Sequence, residues 1–86
     1  MSCVLKPNAI VIKGLVSHWE VKRILDKLNE TLLPRNYGLL YYFEGSPCIE
    51  EGGMIVTIEL TKELAPEDMV LIRKLMEING LKVLDK

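Results

Sequence analysis

The sequence predicts an α+β fold, and two observations carry that prediction. Short stretches dominated by β-branched and aromatic residues alternate with two longer ones whose apolar residues recur at helical spacing, and clusters of Gly, Pro, Ser and Asn separate them. The 86 residues, 49% hydrophobic and 27% charged, describe one small soluble globular domain over 1–86, too short for two independent cores. A domain of this size buries only about 60 to 65% of the surface its unfolded chain exposes, so its stability depends on tight packing, a covalent staple or a partner. The positive mean hydropathy of +0.18 favours a partner.

The first predicted strand is AIVIKGL, Ala9 to Leu15, rich in β-branched residues and closing on Gly14. A helix follows. Ser17 and Glu20 have the spacing of a capping box, and Val16 and Val21 that of a hydrophobic staple, so the start and the entry angle are specified together. Val21, Ile24, Leu25, Leu28 and Leu32 form its apolar stripe, and Pro34 stops it. Tyr37 to Glu44 and Met54 to Thr61 read as two further strands; in the second, Met54, Val56, Ile58 and Leu60 alternate with Ile55, Thr57 and Glu59. The intervening GSPCIEEGG reads as the loop of a β-hairpin. Pro66 opens a second helix with Met69, Ile72, Leu75 and Met76 on one face. Asn79 and Gly80 end it, before a last strand from Leu81 to Asp85.

Strand, helix, strand, strand, helix, strand is the order of a ferredoxin-like βαββαβ sandwich: a four-stranded antiparallel sheet with both helices on one face. The other face is expected to hold Val11, Lys13, Ile55, Thr57 and Glu59, with Leu40 and Tyr42. In this topology the loop after the first strand and the hairpin after the second emerge at one end of the sheet. His18, Trp19, Cys48, Glu50, Glu51, Asn79 and Gly80 gather there, while Cys3, ahead of the first strand, falls at the other end. A strand of about six residues spans roughly 20 Å, so no Cys3 to Cys48 disulfide is expected.

Composition excludes several function classes. Eleven Lys and Arg against twelve Asp and Glu leave a net charge of −1, with no general electrostatic drive toward nucleic acid or anionic lipid. No apolar run approaches the roughly 18 residues of a membrane span, and no signal-peptide pattern opens the chain, which points to the cytoplasm. Two cysteines without CxxC or HxxxH spacing make neither a disulfide framework nor a zinc site, and Glu44, Glu50 and Glu51 lack the repeated oxygen ligands of a calcium loop. No cofactor and no metal are expected. Lys6, Arg35, Lys62 and Lys86, at the far end of the sheet, are interspersed with Glu63, Glu67 and Asp68 and read as mixed surface.

The sharpest chemical possibility is a thiol site in which His18 draws the proton of Cys48 at the start of the first helix. Glu50 and Glu51 beside the thiol oppose it, because acids raise a cysteine pKa and reactive cysteines need electropositive surroundings. A solvent-exposed loop cysteine is the reading taken, with no catalytic residues assigned. Trp19, about 160° around the helix from Val21, is expected to be exposed. With Lys22 and Arg23 at i+3 and i+4 it is either a ring packed on surface neighbours or an interface anchor. The binding residues assigned from sequence are Trp19, Arg23, Tyr42, Glu50 and Glu51.

The stretch IVIKGL, Ile10 to Leu15, resembles the first-strand signature of the RNA recognition motif, and the element order matches that family over nearly the whole chain. The resemblance implies a sheet face that stacks bases. This chain has Val11 where the family places an aromatic, and Gly53 to Leu60 contains none, leaving Tyr41 and Tyr42 as partial replacements. LKPNAI with KGLV, Leu5 to Val16, is similar to the start of nucleoside diphosphate kinases, which share a ferredoxin-like core; their phosphate-carrying histidine motif is absent. Both resemblances imply the fold and supply no site. The expected function is a small non-enzymatic interaction or regulatory domain that forms a homodimer or binds a protein partner. The alternatives are a nucleic-acid binder and a thiol enzyme.

Overall fold

A computed structural model describes residues 1–45 and 52–84. In chain order the elements are strand β1 (Ser2–Lys6), strand β2 (Ala9–Leu15), helix α1 (His18–Leu32), a single 3-10 turn (Leu33–Arg35), strands β3 (Leu39–Glu44) and β4 (Met54–Leu60), helix α2 (Pro66–Ile78) and strand β5 (Lys82–Leu84). The sheet order is β3-β4-β2-β1-β5. All neighbours are antiparallel except β1 and β5, which run parallel. The fold is therefore α+β, with two helices and a five-stranded mixed sheet.

This corrects the expected four-stranded antiparallel sheet, and the cause is local. Residues 2–6 form a strand absent from the sequence-based topology, joined to β2 by the two residues Pro7 and Asn8, with Lys6 opposite Ala9. Neither turn residue has a positive φ, so this is not the primed turn usual in two-residue hairpins. Its carbonyls serve as acceptors instead: Asn8 O takes Leu60 N–H at 2.9 Å and Pro7 O takes Leu64 N–H at 2.7 Å. Strand β1 thus occupies the place next to β2 that the expected topology gave to the last strand. Because β1 runs opposite to β2, the last strand keeps its direction and becomes a parallel neighbour.

Helix α1 starts where the capping residues put it. Ser17 Oγ accepts the Glu20 N–H at 3.1 Å, and Glu20 Oε1 reaches back to accept the Val16 N–H at 3.2 Å. Val21, Ile24, Leu28 and Leu32 are buried, and Leu25 packs at the margin of the core. After Pro34 the chain turns through Asn36, the one non-glycine residue with positive φ among those described. The third strand begins at Leu39, two residues later than expected, because Tyr37 leaves the ladder to enter the core.

Cross-strand register assigns the two sheet faces. Cys3 opposite Ile12, Ile12 opposite Val56, and Ile10 opposite Ile58 place these side chains on one face. They are fully buried with Ile24 and Leu28 of α1 and Ile72 and Met76 of α2 in a single apolar cluster. Both helices therefore cover this face. At the end of the sheet where β2 finishes, the upper end, β2 bulges around Gly14 and its backbone meets that of Gly53. A Cβ at Gly53 would lie 2.9 Å from Gly14 backbone atoms, and its φ of +85° is one that only glycine adopts freely.

Candidate functional site

The face without helices is lined by the alternate residues of every strand. Tyr42 stands opposite Thr57, Thr57 opposite Val11, Val11 opposite Val4, and Val4 opposite Leu84, so one row of side chains crosses all five strands. Leu40, Glu59, Ala9 and Lys6 form the row below it, and Ile55 beside Glu44 lies above it. The predicted membership of this face, including Leu40 and Tyr42, agrees with the register. Its centre is apolar, and its charges sit toward the ends of the strands.

The apolar character is strongest at β3. Leu40 is 58% exposed and Tyr42 51%; Phe43, 52% exposed, lies opposite Val56 and so on the other side of the strand. Among the described residues strand β3 pairs only with β4, so one of its edges has no neighbour among them. The Tyr42 hydroxyl is hydrogen-bonded to Glu59, and this bond is the main cause of a phenol pKa above the ordinary tyrosine value. Tyr41, on the opposite face of the same strand, packs against the core and bonds Asn29 of α1 through its hydroxyl. The strand is thus held to the body of the molecule by Tyr41, while Leu40 and Tyr42 face solvent on the open face and Phe43 does so on the side of Tyr41.

At the upper end, His18 and Trp19 open α1, Gly45 and Gly53 bracket the hairpin, and Gly80 precedes β5, as the sequence predicted. Trp19 is 82% exposed. It shares a shallow groove with Glu20, Lys22, Arg23 and Asp26, in which Lys22 Nζ and Asp26 Oδ2 form an ion pair of 2.9 Å. Cys48, Glu50 and Glu51 lie outside the described residues, and with them the Cys48 to His18 thiol site. The remaining predicted binding residues do not converge. Trp19 and Arg23 stand on the outer side of a helix that covers one face of the sheet, and Tyr42 stands on the other face.

Cys3 is not at the far end of the sheet. It lies in β1, opposite Ile12 and beside Val83, toward the upper end, because the residues read as a lead-in form a strand. It is a free, fully buried thiol, and burial pushes its pKa up to about 12. Such a thiol is inert at neutral pH.

A polar cluster sits at the lower end, among residues whose sequence pattern reads as mixed surface. Asp68, nearly buried in the first turn of α2, accepts the Tyr37 hydroxyl at 2.6 Å and Arg35 Nη1 at 2.7 Å. The Tyr37 oxygen in turn accepts the Ala65 N–H at 3.0 Å, and Lys62 Nζ lies 4.7 Å from the Tyr37 ring centroid. The bond to Asp68 is the main cause that raises the Tyr37 pKa. Every polar atom named here has a partner within the protein, which marks the cluster as a clamp between the 3-10 turn, the start of β3 and α2. Among the described residues no group of three or more His, Cys, Asp or Glu side chains is placed to hold a metal ion. No helix among them is long and apolar enough to cross a membrane.

Comparison with protein-family models, with curated proteins and with solved structures finds no match to the chain.

Proposed function

We propose that the protein is a small, non-enzymatic interaction domain that forms a homodimer or docks another protein through the apolar surface at β3. The observation that carries this reading is the exposure of Leu40 and Tyr42 on an edge strand, continuous with the uncharged row that crosses the open face, with Phe43 exposed on the other side of the same strand. Contiguous exposed apolar surface of this kind is a feature of association sites. The topology supports a ferredoxin-like core with an added strand: without β1 the order β3-β4-β2-β5 is that of the split βαβ sandwich. A free buried thiol at Cys3 accords with a reducing, cytoplasmic setting.

The open face is also the surface an RNA recognition motif would use. Here its central positions are Val11 and Thr57, neither of which stacks a base, and the chain has a net charge of −1. Protein association is therefore the reading preferred. Light scattering across a concentration series tests it. The wild-type chain is expected to exceed the mass of one copy, and Leu40→Lys with Tyr42→Lys is expected to return it to a monomer of unchanged circular dichroism. A strict monomer that retains labelled single-stranded RNA in a salt-dependent way would replace this reading with the nucleic-acid one.

A further inference from the structure

The self-association proposed above leaves open how two copies meet, and the backbone of β3 narrows it. Thr61 donates its N–H to Gly38 O at 3.1 Å, so Gly38 turns its peptide groups toward β4. By the two-residue alternation of an antiparallel ladder, Leu40, Tyr42 and Glu44 do the same. Leu39, Tyr41 and Phe43 consequently aim their N–H and C=O groups outward, along the edge that has no partner strand among the described residues. Edge strands are commonly blunted by a charge, a proline or a bulge. From Leu39 to Phe43 there is no charge and no proline, and the register with β4 is unbroken.

We infer that two copies of this chain pair antiparallel along β3 about a twofold axis through Tyr41, merging two five-stranded sheets into one. This geometry rests on the self-association reading and deepens it. In this register the outward groups of Tyr41 meet those of Tyr41 in the second copy, and those of Leu39 meet Phe43. On the open face Leu40 stands opposite Tyr42. Each cross-strand pair from 39 to 43 is then apolar, and the side chains exposed in a single copy cover one another. Tyr41, tied to Asn29, keeps its place.

Charge selects the antiparallel direction. Glu44 closes the upper end of β3, and the Lys62 ammonium lies over Tyr37 just below its lower end. Antiparallel pairing sets Glu44 of one copy opposite Gly38 of the other, with Lys62 about 10 Å away between Cα atoms at ordinary strand spacing. That is close to a Debye length at physiological salt. Parallel pairing would instead set Glu44 beside Glu44. The two copies that form the antiparallel edge also align their open faces as one surface.

The test uses the full chain with Cys48→Ser, so that buried Cys3 is the remaining native thiol. Leu40→Cys and Tyr42→Cys proteins are prepared separately and then mixed under mild oxidation. A disulfide-linked dimer is expected from the mixture and not from either protein alone. Residue 40 faces residue 42 of the second copy, while 40 and 40 lie about 8 Å apart between Cα atoms, beyond disulfide reach. In a second arm, Phe43→Pro removes an outward N–H and no hydrogen bond to β4. It is expected to weaken dimerisation at least tenfold with the circular dichroism unchanged; if this variant does not fold, the mixture decides alone. A dimer in light scattering that fails to cross-link in the mixture, or that survives Phe43→Pro, overturns the edge pairing and leaves self-association standing. A monomer at every concentration overturns both.

Discussion

Asp68 shows how much one side chain contributes in a chain of this length. Its two oxygens hold the Tyr37 hydroxyl and the Arg35 guanidinium, and through Tyr37 they also secure the Ala65 N–H. Tyr37→Phe leaves the Asp68 oxygen and the Ala65 N–H without their partner at a nearly water-free site. A loss of about 1 to 3 kcal/mol is expected in urea unfolding. Nothing local in the sequence pairs Tyr37 with Asp68, 31 positions apart, so from sequence alone the charges of the clamp are scattered surface. Cys3 gives a second residue-scale expectation, with a sign. Its folded pKa of about 12 lies above the ordinary thiol value of 9.0, so the neutral thiol contributes its full stability below pH 9. That contribution erodes as pH rises from 9 toward 12, because only the unfolded chain ionises there. Urea midpoints of wild type and Cys3→Ala across this range are expected to converge as the pH rises. At neutral pH, Cys3 in a Cys48→Ser chain is expected to be alkylated only at the rate of unfolding.

Elements were legible in proportion to the local information they carry. Strand β2 and the start of α2 fall at their predicted residues, and α1 obeys its cap because Ser17 and Glu20 satisfy backbone N–H groups that have no helical partner. Strand β1 was missed for physical reasons. Ser2 to Lys6 is five residues long, its apolar positions do not alternate, and its turn lacks the glycine that marks most two-residue hairpins. What secures it as a strand beyond its hairpin with β2 is long-range: pairing with β5, and carbonyls of the turn engaged by Leu60 and Leu64. The open face was legible because period-two alternation fixes a face once register is known. That Trp19 and Tyr42 do not converge follows from the same register, since the sheet separates them. Between elements, the contact of β2 with the start of β4 depends on Gly53. Gly53→Ala combines a backbone clash with an unfavourable positive φ, and a destabilisation of about 2 kcal/mol or more is expected in thermal or urea unfolding.

At the scale of the whole molecule, the sheet depends on a strand that the simplest reading of the chain omits. Removing residues 1–6 takes away the neighbour shared by β2 and β5 and leaves the buried Ile10 and Ile12 without the cover of Cys3. The truncated chain is expected to lose several kcal/mol, or to unfold without a sharp transition, when compared with the full chain by denaturant titration. Strands β2 and β5 run in opposite directions, so they could pair directly in a four-stranded sheet if the helices repacked. Retained β-sheet circular dichroism with a cooperative transition would reveal that alternative sheet. Strand β1 also joins the two ends of the described chain, with Lys82 N–H on Met1 O at 3.1 Å.

That parallel pairing has a mechanical consequence. Residue 2 lies at the upper end of β1 and residue 84 at the lower end of β5, with Ser2 beside Lys82 and Val4 beside Leu84. Tension applied through these two points drags adjacent strands past each other along their length. The bonds between them bear load together, where an antiparallel pair pulled from its open end would peel one bond at a time. When stretched from its ends, the molecule is a lap joint.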